Sequence, residues 1–292
     1  MYDIIIIGAG PAGLTSALYA LRANKKVLLL EAKSYGGQII NARKIENYPG
    51  IDEISGFDFA NNLYEQVKKF GGTIKYETVL RVNEDKEVTT NKDTYKSKAV
   101  IIATGSANKK LNIKGEEEFI GKGVSYCATC DGNFFKGKNV AIVGSTLSTI
   151  DDALYLSEVA NKVYLISDKD QLEHEEKINN VDNIEVINSA WVEEIKGESI
   201  LNEITIRKNE TSTGIKVDGV FIDIGRTPKN EIFKNIVDLT DQGYIASTDG
   251  VHTKTKGIYV AGDTREKELR QLTTAVADGS LAATIAIKEL NI

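Results

Sequence analysis

The sequence predicts an α/β fold, because two stretches of the chain carry the same strand, glycine turn and helix pattern. The first runs from the apolar residues 4–7 through a glycine-rich turn into a helical segment, and the second repeats this order from about residue 139. Such units are typical of parallel sheets that carry a site at the carboxyl ends of their strands. A chain of 292 residues is long enough for two domains with cores of their own.

The composition is that of a globular protein, with 41% apolar and 27% charged residues. Met1 to Asp3 lack the basic leader of an export signal and run directly into apolar residues and glycines, so a buried strand is predicted there. No apolar run approaches the roughly 20 residues that cross a bilayer. The net charge of −6 argues against a general nucleic-acid binder. We therefore expect a cytoplasmic protein that binds neither membrane nor nucleic acid.

The turn after the first strand fits the dinucleotide-binding fingerprint in its full context. Gly8 allows a tight turn, Gly10 lets the backbone approach a pyrophosphate, and Gly13 lets helix and strand pack closely. Pro11 and Ala12 complete this turn, and Glu31 ends the next apolar strand, where an acid can bind an adenosine ribose. This unit alone does not distinguish FAD from NAD.

The following segments favour FAD. Gly36-Gly37-Gln38 and Asn47-Tyr48-Pro49-Gly50 form a loop-rich stretch that could wrap an elongated cofactor, although two ordinary surface turns would look the same. A later strand ends in Ala103-Thr104-Gly105.

Thiol chemistry is predicted by Cys127-Ala128-Thr129-Cys130-Asp131, which holds the only two cysteines. Two cysteines at this spacing indicate a redox dithiol. A structural zinc site would need four ligands, and His174 and His252 are isolated from each other. A purely structural disulfide is disfavoured because so short a loop gains little stability from closure. No metal is therefore expected.

Taken together, the order of these motifs resembles that of the low-molecular-weight thioredoxin reductases over essentially the full length. The resemblance includes a late strand that ends in Gly262-Asp263 and a helix opened by Arg270-Gln271-Leu272. It implies a homodimer with FAD as cofactor and thioredoxin as partner, and it makes Cys127 and Cys130 the redox pair and Asp131 an acid-base group. The FAD contacts that it implies are Gly8, Gly10, Pro11, Ala12, Gly13, Glu31, Gln38, Asn47, Ala103, Thr104, Gly105, Gly262, Asp263, Arg270, Gln271 and Leu272. Asp131 could equally be a turn or cap residue, and a capped helix after a buried strand would explain the late motif.

The resemblance also implies two Rossmann-like domains, the second inserted into a discontinuous FAD-binding domain. The FAD-binding domain would comprise residues 1–112 and 241–292. The inserted domain, residues 113–240, would carry the cysteines.

The second glycine turn departs from the family pattern. NADPH-dependent relatives would have glycine where Thr146 stands and alanine where Thr149 stands, and the Thr146 side chain would hinder close approach of a pyrophosphate. Their basic cluster after the next strand is replaced by Ser167, Asp168, Lys169 and Glu173. Two acids there would repel a ribose phosphate, although Asp168 could suit NADH.

Within the superfamily the sequence looks most like the ferredoxin-dependent flavin thioredoxin reductases, whose second domain lacks these motifs. This implies that reduced ferredoxin supplies electrons to FAD, which reduces the Cys127/Cys130 pair, which in turn reduces thioredoxin. Two cysteines are too few to hold an iron-sulfur cluster of the usual thiolate type, so the cluster would belong to the partner. An NAD(P)H-dependent reductase with an atypical site and a non-catalytic flavoprotein remain as alternatives.

Overall fold

The computed structural model describes residues 1–42, 44–247 and 250–291. The chain divides into two compact units. The first is discontinuous and combines Met1–Ala107 with Thr227–Ile292, and the second is the continuous stretch Asn108–Arg226.

The helices and strands follow one another in three groups. The first contains β1 (Tyr2–Ile7), α1 (Pro11–Arg22), β2 (Val27–Glu31), α2 (Gly56–Lys69), β3 (Ile74–Tyr76), β4 (Val79–Val82), β5 (Glu87–Thr90), β6 (Thr94–Ile102) and β7 (Ser106–Asn108). The second contains β8 (Val124–Ser125), α3 (Ala128–Asp131), β9 (Asn139–Val143), α4 (Leu147–Val159), β10 (Lys162–Ile166), β11 (Ile184–Ile187), β12 (Ala190–Gly197), β13 (Leu201–Lys208), β14 (Thr211–Lys216) and β15 (Gly219–Ile222). The last contains β16 (Arg226–Pro228), β17 (Ile258–Val260) and α5 (Leu272–Leu290).

The first unit is organised around a seven-stranded sheet in the order β3-β2-β1-β6-β5-β4, with β17 also paired to β6. Five strands of this sheet are parallel, namely β3, β2, β1, β6 and β17. The other two, β5 and β4, form an antiparallel edge. Ile7 at the end of β1 lies level with Leu30 on one side and Ile102 on the other. The glycine turn, Glu31 and the segment after Ile102 therefore leave the sheet at the same edge, where parallel sheets place their ligands.

Both faces of this sheet are covered, which explains why β1 is apolar at successive positions rather than at alternate ones. On one face, α1 and α5 pack over Ile4 and Ile6. On the other face, Phe233, Ile236 and Val237 are at most 1% exposed and pack with Ile5 and Val260. The return segment from residue 227 to 240, which the sequence assigned to the inserted domain, therefore belongs to the first unit.

The second unit contains a parallel sheet in the order β11-β10-β9-β15-β8 and a separate antiparallel sheet, β12-β13-β14. The turn from β9 into α4 repeats the arrangement of β1 and α1. The predicted α/β fold with Rossmann-like sheets is confirmed. None of the helices described within these ranges combines the length and apolarity needed to cross a bilayer.

Candidate active site

The glycines of the first turn are required by close backbone packing. Gly8 has a φ of +104°, and a Cβ there would lie 2.4 Å from the carbonyl oxygen of Ala103. A Cβ on Gly13 would lie 1.8 Å from the carbonyl oxygen of Gly8. Around Gly10 the nearest atom to such a Cβ is the Cα of Gly37, at 4.0 Å, so a cradle is open over the backbone at this position. A side chain would fill that cradle, and glycine leaves it free for a ligand.

Glu31 is held in place at the end of β2. Its Oε2 accepts a hydrogen bond from the backbone N–H of Ala9 at 2.9 Å, and its Oε1 accepts one from Lys33 at 2.8 Å. A carboxylate can accept about four hydrogen bonds, so both oxygens keep capacity for the hydroxyls of a ribose. The acid is thus oriented by the glycine turn itself.

Motifs from the two ends of the chain meet at this edge. A Cβ on Gly262 would lie 2.8 Å from the Cβ of Ala12, so the late glycine turn contacts the start of α1. The hydroxyls of Thr104 and Thr264 are 2.9 Å apart and hydrogen-bonded. The fingerprint, the segment after β6 and the segment after β17 therefore surround one region.

A second meeting point involves the loop after β2. The side-chain nitrogen of Asn47 donates to Oε1 of Gln271 at 3.4 Å. Gln271 is the N-cap residue of α5, which begins at Leu272. Gln38 lies in a short 3₁₀ helix, Gly37–Asn41, directly after the Gly36 turn. The structure thus gathers loop and helix residues that the sequence placed more than two hundred positions apart.

The charged residues of the late motif are partly buried. The Asp263 carboxylate lies 3.3 Å from the ammonium of Lys267. The Arg270 guanidinium lies 4.0 Å from the centre of the Tyr244 ring and donates to the carbonyl of Lys267 at 3.0 Å. Its Nε is buried without a hydrogen-bond partner within the described part of the chain.

Three further residues that were predicted to contact FAD lie at the start of α1 and in the segment after β6. Pro11 is the first residue of α1, where the missing N–H costs nothing. Ala103 is 5% exposed, and Gly105 has a φ of +67° in the turn after β6.

Several polar residues of this region were missed by the sequence analysis. Asn230 is 1% exposed, and its amide nitrogen donates to the carbonyls of Gly243 and Thr264 at 2.9 and 3.0 Å. Asp278 in α5 receives two hydrogen bonds from Arg265, both 2.9 Å long. An acid inside an alanine- and glycine-rich helix could have indicated Asp278, whereas nothing in the local sequence marks Asn230.

The dithiol forms a disulfide in the second unit, with the Cα atoms of Cys127 and Cys130 5.3 Å apart. The short helix α3 begins directly after Cys127 and ends at Asp131. The Oδ2 of Asp131 accepts a hydrogen bond from the Ser125 hydroxyl at 2.6 Å. Burial raises the pKa of Asp131 above its ordinary value, and the Ser125 bond opposes this only in part. Asp131 is the N-cap residue of the following 3₁₀ helix, Gly132–Phe135, but its side chain makes no capping hydrogen bond there.

No group of three or more histidine, cysteine, aspartate or glutamate side chains is placed to hold a metal within the described residues. His174 lies 3.4 Å from Glu176 in the second unit, and His252 lies 2.9 Å from Glu289 in the first.

In the second glycine turn, two threonine side chains bind backbone N–H groups of the turn. Thr146 is the N-cap residue of α4, and its hydroxyl accepts the N–H of Thr149 at 3.3 Å. The Thr149 hydroxyl in turn accepts the N–H of Thr146 at 3.3 Å and reaches Oδ2 of Asp223 at 3.0 Å. Two N–H groups that a phosphate could use at a helix start are therefore already bound.

Carboxylates lie close to this turn. Burial, followed by the nearby carboxylates of Asp223 and Asp151, raises the pKa of Asp152 to about 6. Ser167, directly after β10, is fully buried, and its hydroxyl accepts a hydrogen bond from the N–H of Lys169 at 3.1 Å. The surroundings of the turn thus suit a pyrophosphate dianion poorly.

A sequence model described as pyridine nucleotide-disulphide oxidoreductase matches residues 2–279. The chain belongs to this family. It is 42% identical to thioredoxin reductase of Bacillus subtilis, with 97% of this chain and 93% of the relative covered. The crystal structure of thioredoxin reductase from Streptococcus pyogenes has a TM-score of 0.95 at 38% identity and covers 100% of this chain and 98% of that one. Within the family, the chain is one of the low-molecular-weight thioredoxin reductases.

A ferredoxin-flavin thioredoxin reductase from Clostridium acetobutylicum is also similar. It is 33% identical, has a TM-score of 0.55 and covers 99% of this chain and 98% of that one. The identity is higher to the two proteins named simply thioredoxin reductase. The comparisons therefore support the family and not the ferredoxin-dependent subtype.

FAD is the cofactor of the thioredoxin reductases in this family. The first unit fits such a cofactor because it offers the open cradle over Gly10, the oriented carboxylate of Glu31 and the buried Nε of Arg270. The first two lie at the edge of the sheet where the motifs from both ends of the chain meet, and Arg270 directly precedes Gln271, which contacts Asn47.

Proposed function

We propose that this protein reduces the disulfide of thioredoxin through Cys127 and Cys130, with FAD bound by the first unit and with electrons from reduced ferredoxin. The observation that carries the chemistry is the Cys127–Cys130 disulfide with Asp131 in the same short helix. The observation that carries the choice of donor is the capped turn at Thr146 and Thr149.

The residues of the dithiol take distinct roles in this proposal. Cys130 accepts the electron pair from the flavin side, and Cys127 attacks the disulfide of thioredoxin. Asp131 exchanges a proton with the sulfur that leaves or attacks, and its raised pKa suits proton transfer better than that of an exposed aspartate. The flavin supplies the ability to take electrons singly and to deliver a pair.

The first unit holds FAD through residues of both its segments. Glu31 accepts hydrogen bonds from the adenosine ribose, and the backbone from Gly8 to Gly13 faces the pyrophosphate. Gln38, Asn47, Ala103, Thr104 and Gly105 line the cofactor from one segment. Gly262, Asp263, Arg270, Gln271 and Leu272 line it from the other.

A nicotinamide donor is disfavoured by the geometry of the second unit. A dinucleotide that uses the turn after β9 must break the reciprocal bonds between Thr146 and Thr149 and approach the carboxylates of Asp223 and Asp152. Ferredoxin needs no such site, because it delivers electrons by docking on the protein surface.

NADPH remains the second candidate donor because one specific observation favours it. The identity of 42% to the Bacillus subtilis thioredoxin reductase exceeds that to the ferredoxin-dependent protein from Clostridium acetobutylicum. The two candidates share every step after reduction of the flavin.

Anaerobic absorbance of the FAD-loaded protein separates the candidates. NADPH, NADH and chemically reduced ferredoxin are added separately, and oxidised thioredoxin follows. We expect ferredoxin alone to bleach the flavin and thioredoxin to restore its colour. Rapid bleaching by NADPH or NADH would show that a nicotinamide, and not ferredoxin, is the electron donor. The proposed role of the dithiol would be unaffected.

The variant with both Cys127→Ser and Cys130→Ser is the matched control for the dithiol. It should bind FAD and accept electrons from the same donor, but it should not pass them to thioredoxin. Turnover by this variant would show that the dithiol is not on the electron path and that the protein is a flavoprotein of another kind.

The assembly and compartment follow as predictions of the same proposal. A dithiol that cycles between its two states suits a reducing compartment, and we expect the protein in the cytoplasm. We also expect a homodimer, which light scattering of the FAD-loaded protein would test.

A further inference from the structure

Ser125 lies beside the dithiol but belongs to the sheet rather than to the cysteine loop. It is the last residue of β8 and pairs with Phe221 of β15. Ser125 is 6% exposed and Phe221 is 1% exposed. The serine hydroxyl is therefore fixed by a buried strand. It can hold the carboxyl of Asp131 in place when the disulfide of the cysteine loop opens.

The Ser125 hydroxyl joins two parts of the redox loop. It donates to Oδ2 of Asp131 at 2.6 Å and accepts the backbone N–H of Cys127 at 3.1 Å. The carbonyl of Cys127 is farther away, at 3.3 Å, and accepts the N–H of Asp131. Because a serine has one hydroxyl proton, the shorter bond to the carboxylate takes it. Oδ1 of Asp131 is then the oxygen left to carry a proton.

Ser125 opposes the effect of burial on Asp131. Burial raises the pKa of the carboxyl, and the bond from Ser125 lowers it. The helix α4 packs against α3 and carries the titratable residues Asp151, Asp152, Tyr155 and Glu158. None of these four contributes to the pKa shift of Asp131.

Building on the proposed function, we propose that Ser125 is a positioning residue that holds Asp131 for proton exchange with Cys127 and stabilises its carboxylate form. With an electron pair from the reduced flavin, the S–S bond breaks and leaves both sulfurs as thiolates. The Cys127 sulfur takes a proton from Oδ1 of Asp131, and Cys130 keeps its negative charge. The new carboxylate is stabilised at Oδ2 by the Ser125 hydroxyl. The proton returns to Asp131 when Cys127 attacks thioredoxin.

The test uses reduction of the Cys127–Cys130 disulfide by dithiothreitol in the FAD-loaded protein, which needs neither ferredoxin nor nicotinamide. The rate is followed across pH by alkylation and mass spectrometry. Ser125→Ala and Ser125→Gly both remove the hydroxyl, and Ser125→Thr keeps it. Asp131→Asn identifies the part of the pH profile that depends on the carboxyl. Wild-type protein that shows no exchange at this disulfide would contradict the proposed function itself, before any Ser125 variant is compared.

We expect the limb of the profile that depends on Asp131 to move to higher pH in Ser125→Ala and Ser125→Gly, with exchange about ten-fold slower. Ser125→Thr should restore both the limb and the rate. In the Asp131→Asn background, removal of the hydroxyl should have no further effect on the profile. A limb that stays at the wild-type pH in Ser125→Ala and Ser125→Gly, as in Ser125→Thr, would overturn the proposal and leave Ser125 a structural residue.

A spectroscopic test on the wild type does not depend on the folding of any serine variant. The infrared band of the Asp131 carboxylate, assigned by subtraction of the Asp131→Asn spectrum, should shift on exchange of hydrogen for deuterium because the Ser125 proton is exchangeable. A band that does not shift would also overturn the proposal.

Discussion

The Thr264 hydroxyl donates a hydrogen bond of 2.6 Å to the side-chain oxygen of Asn230, and both residues are at most 1% exposed. Asn230 stands at the point where the chain has returned to the first unit, and Thr264 follows the late glycine turn. Thr104 reaches the same oxygen at 3.4 Å. One buried amide therefore joins the two segments of the first unit beside the proposed cofactor site.

We expect Asn230→Leu to destabilise the protein by about 3 kcal/mol, because each buried partner left without a hydrogen bond costs about 1 to 3 kcal/mol. FAD should also bind more weakly, since Thr104 and Thr264 lose their common anchor. Thermal unfolding and fluorescence titration with FAD measure the two effects. Asn235→Leu, at an exposed position nearby, is the control and should leave both values unchanged.

Thr146→Ala should lower the free energy of unfolding by about 1 kcal/mol, the usual loss for an N-cap. The reason is that the capping box between Thr146 and Thr149 disappears. Denaturant unfolding of the wild type and variant tests this. Ser148 lies in the first turn of α4 and has no part in the capping box, so Ser148→Ala should be nearly neutral. An equal loss in both variants would contradict the prediction.

Asp278 should make the stability of the first unit sensitive to acid. Burial alone would raise the pKa of Asp278, but Arg265 and Lys267 together hold it below its ordinary value of 3.8. A carboxyl with a lowered pKa in the folded state contributes stability above that ordinary value and loses it as the pH falls through the folded pKa. The wild type should therefore lose unfolding free energy steeply below about pH 4.

Asp278→Asn should remove this part of the acid sensitivity. At neutral pH it should cost about 3 kcal/mol, because Arg265 and Lys267 lose their buried counter-charge. Urea unfolding at several pH values measures both effects. Asp238→Asn breaks only an exposed pair with Lys254 and should change little. Parallel acid profiles for the wild type and Asp278→Asn would be inconsistent with this account.

Glu116 should contribute strongly to the stability of the second unit. It is 1% exposed and accepts the N–H groups of Leu111 and Asn112 at 3.0 and 2.7 Å and the hydroxyl of Tyr126 at 2.7 Å. Glu116→Ala leaves three donors without an acceptor, and we expect it to cost about 3 kcal/mol or more of unfolding free energy. Tyr126→Phe removes one of these bonds and should cost about 1 kcal/mol. Equal losses on denaturant unfolding would show that only the Tyr126 bond contributes.

The sequence was most informative where function depends on local backbone geometry. The glycine requirement at Gly8 and Gly13 follows from the spacing of the fingerprint, and the structure shows the contacts responsible. The end of the inserted unit was placed too late, because Phe233, Ile236 and Val237 look in sequence like any apolar segment and only their packing assigns them to the first unit. Asn230 could not be predicted, since its partners at Gly243 and Thr264 are defined only by the tertiary fold.

The packing of α5 on α1 has a consequence for the order in which the protein can be made. A Cβ on Gly279 of α5 would lie 2.3 Å from the carbonyl oxygen of Ala12 in α1, so the two helices touch closely and α1 completes its packing only after α5 has been made. The second unit is continuous and can complete its sheets during synthesis. The first unit cannot assemble its cofactor site until α5 has emerged, and flavin loading is therefore expected to follow the folding of the second unit.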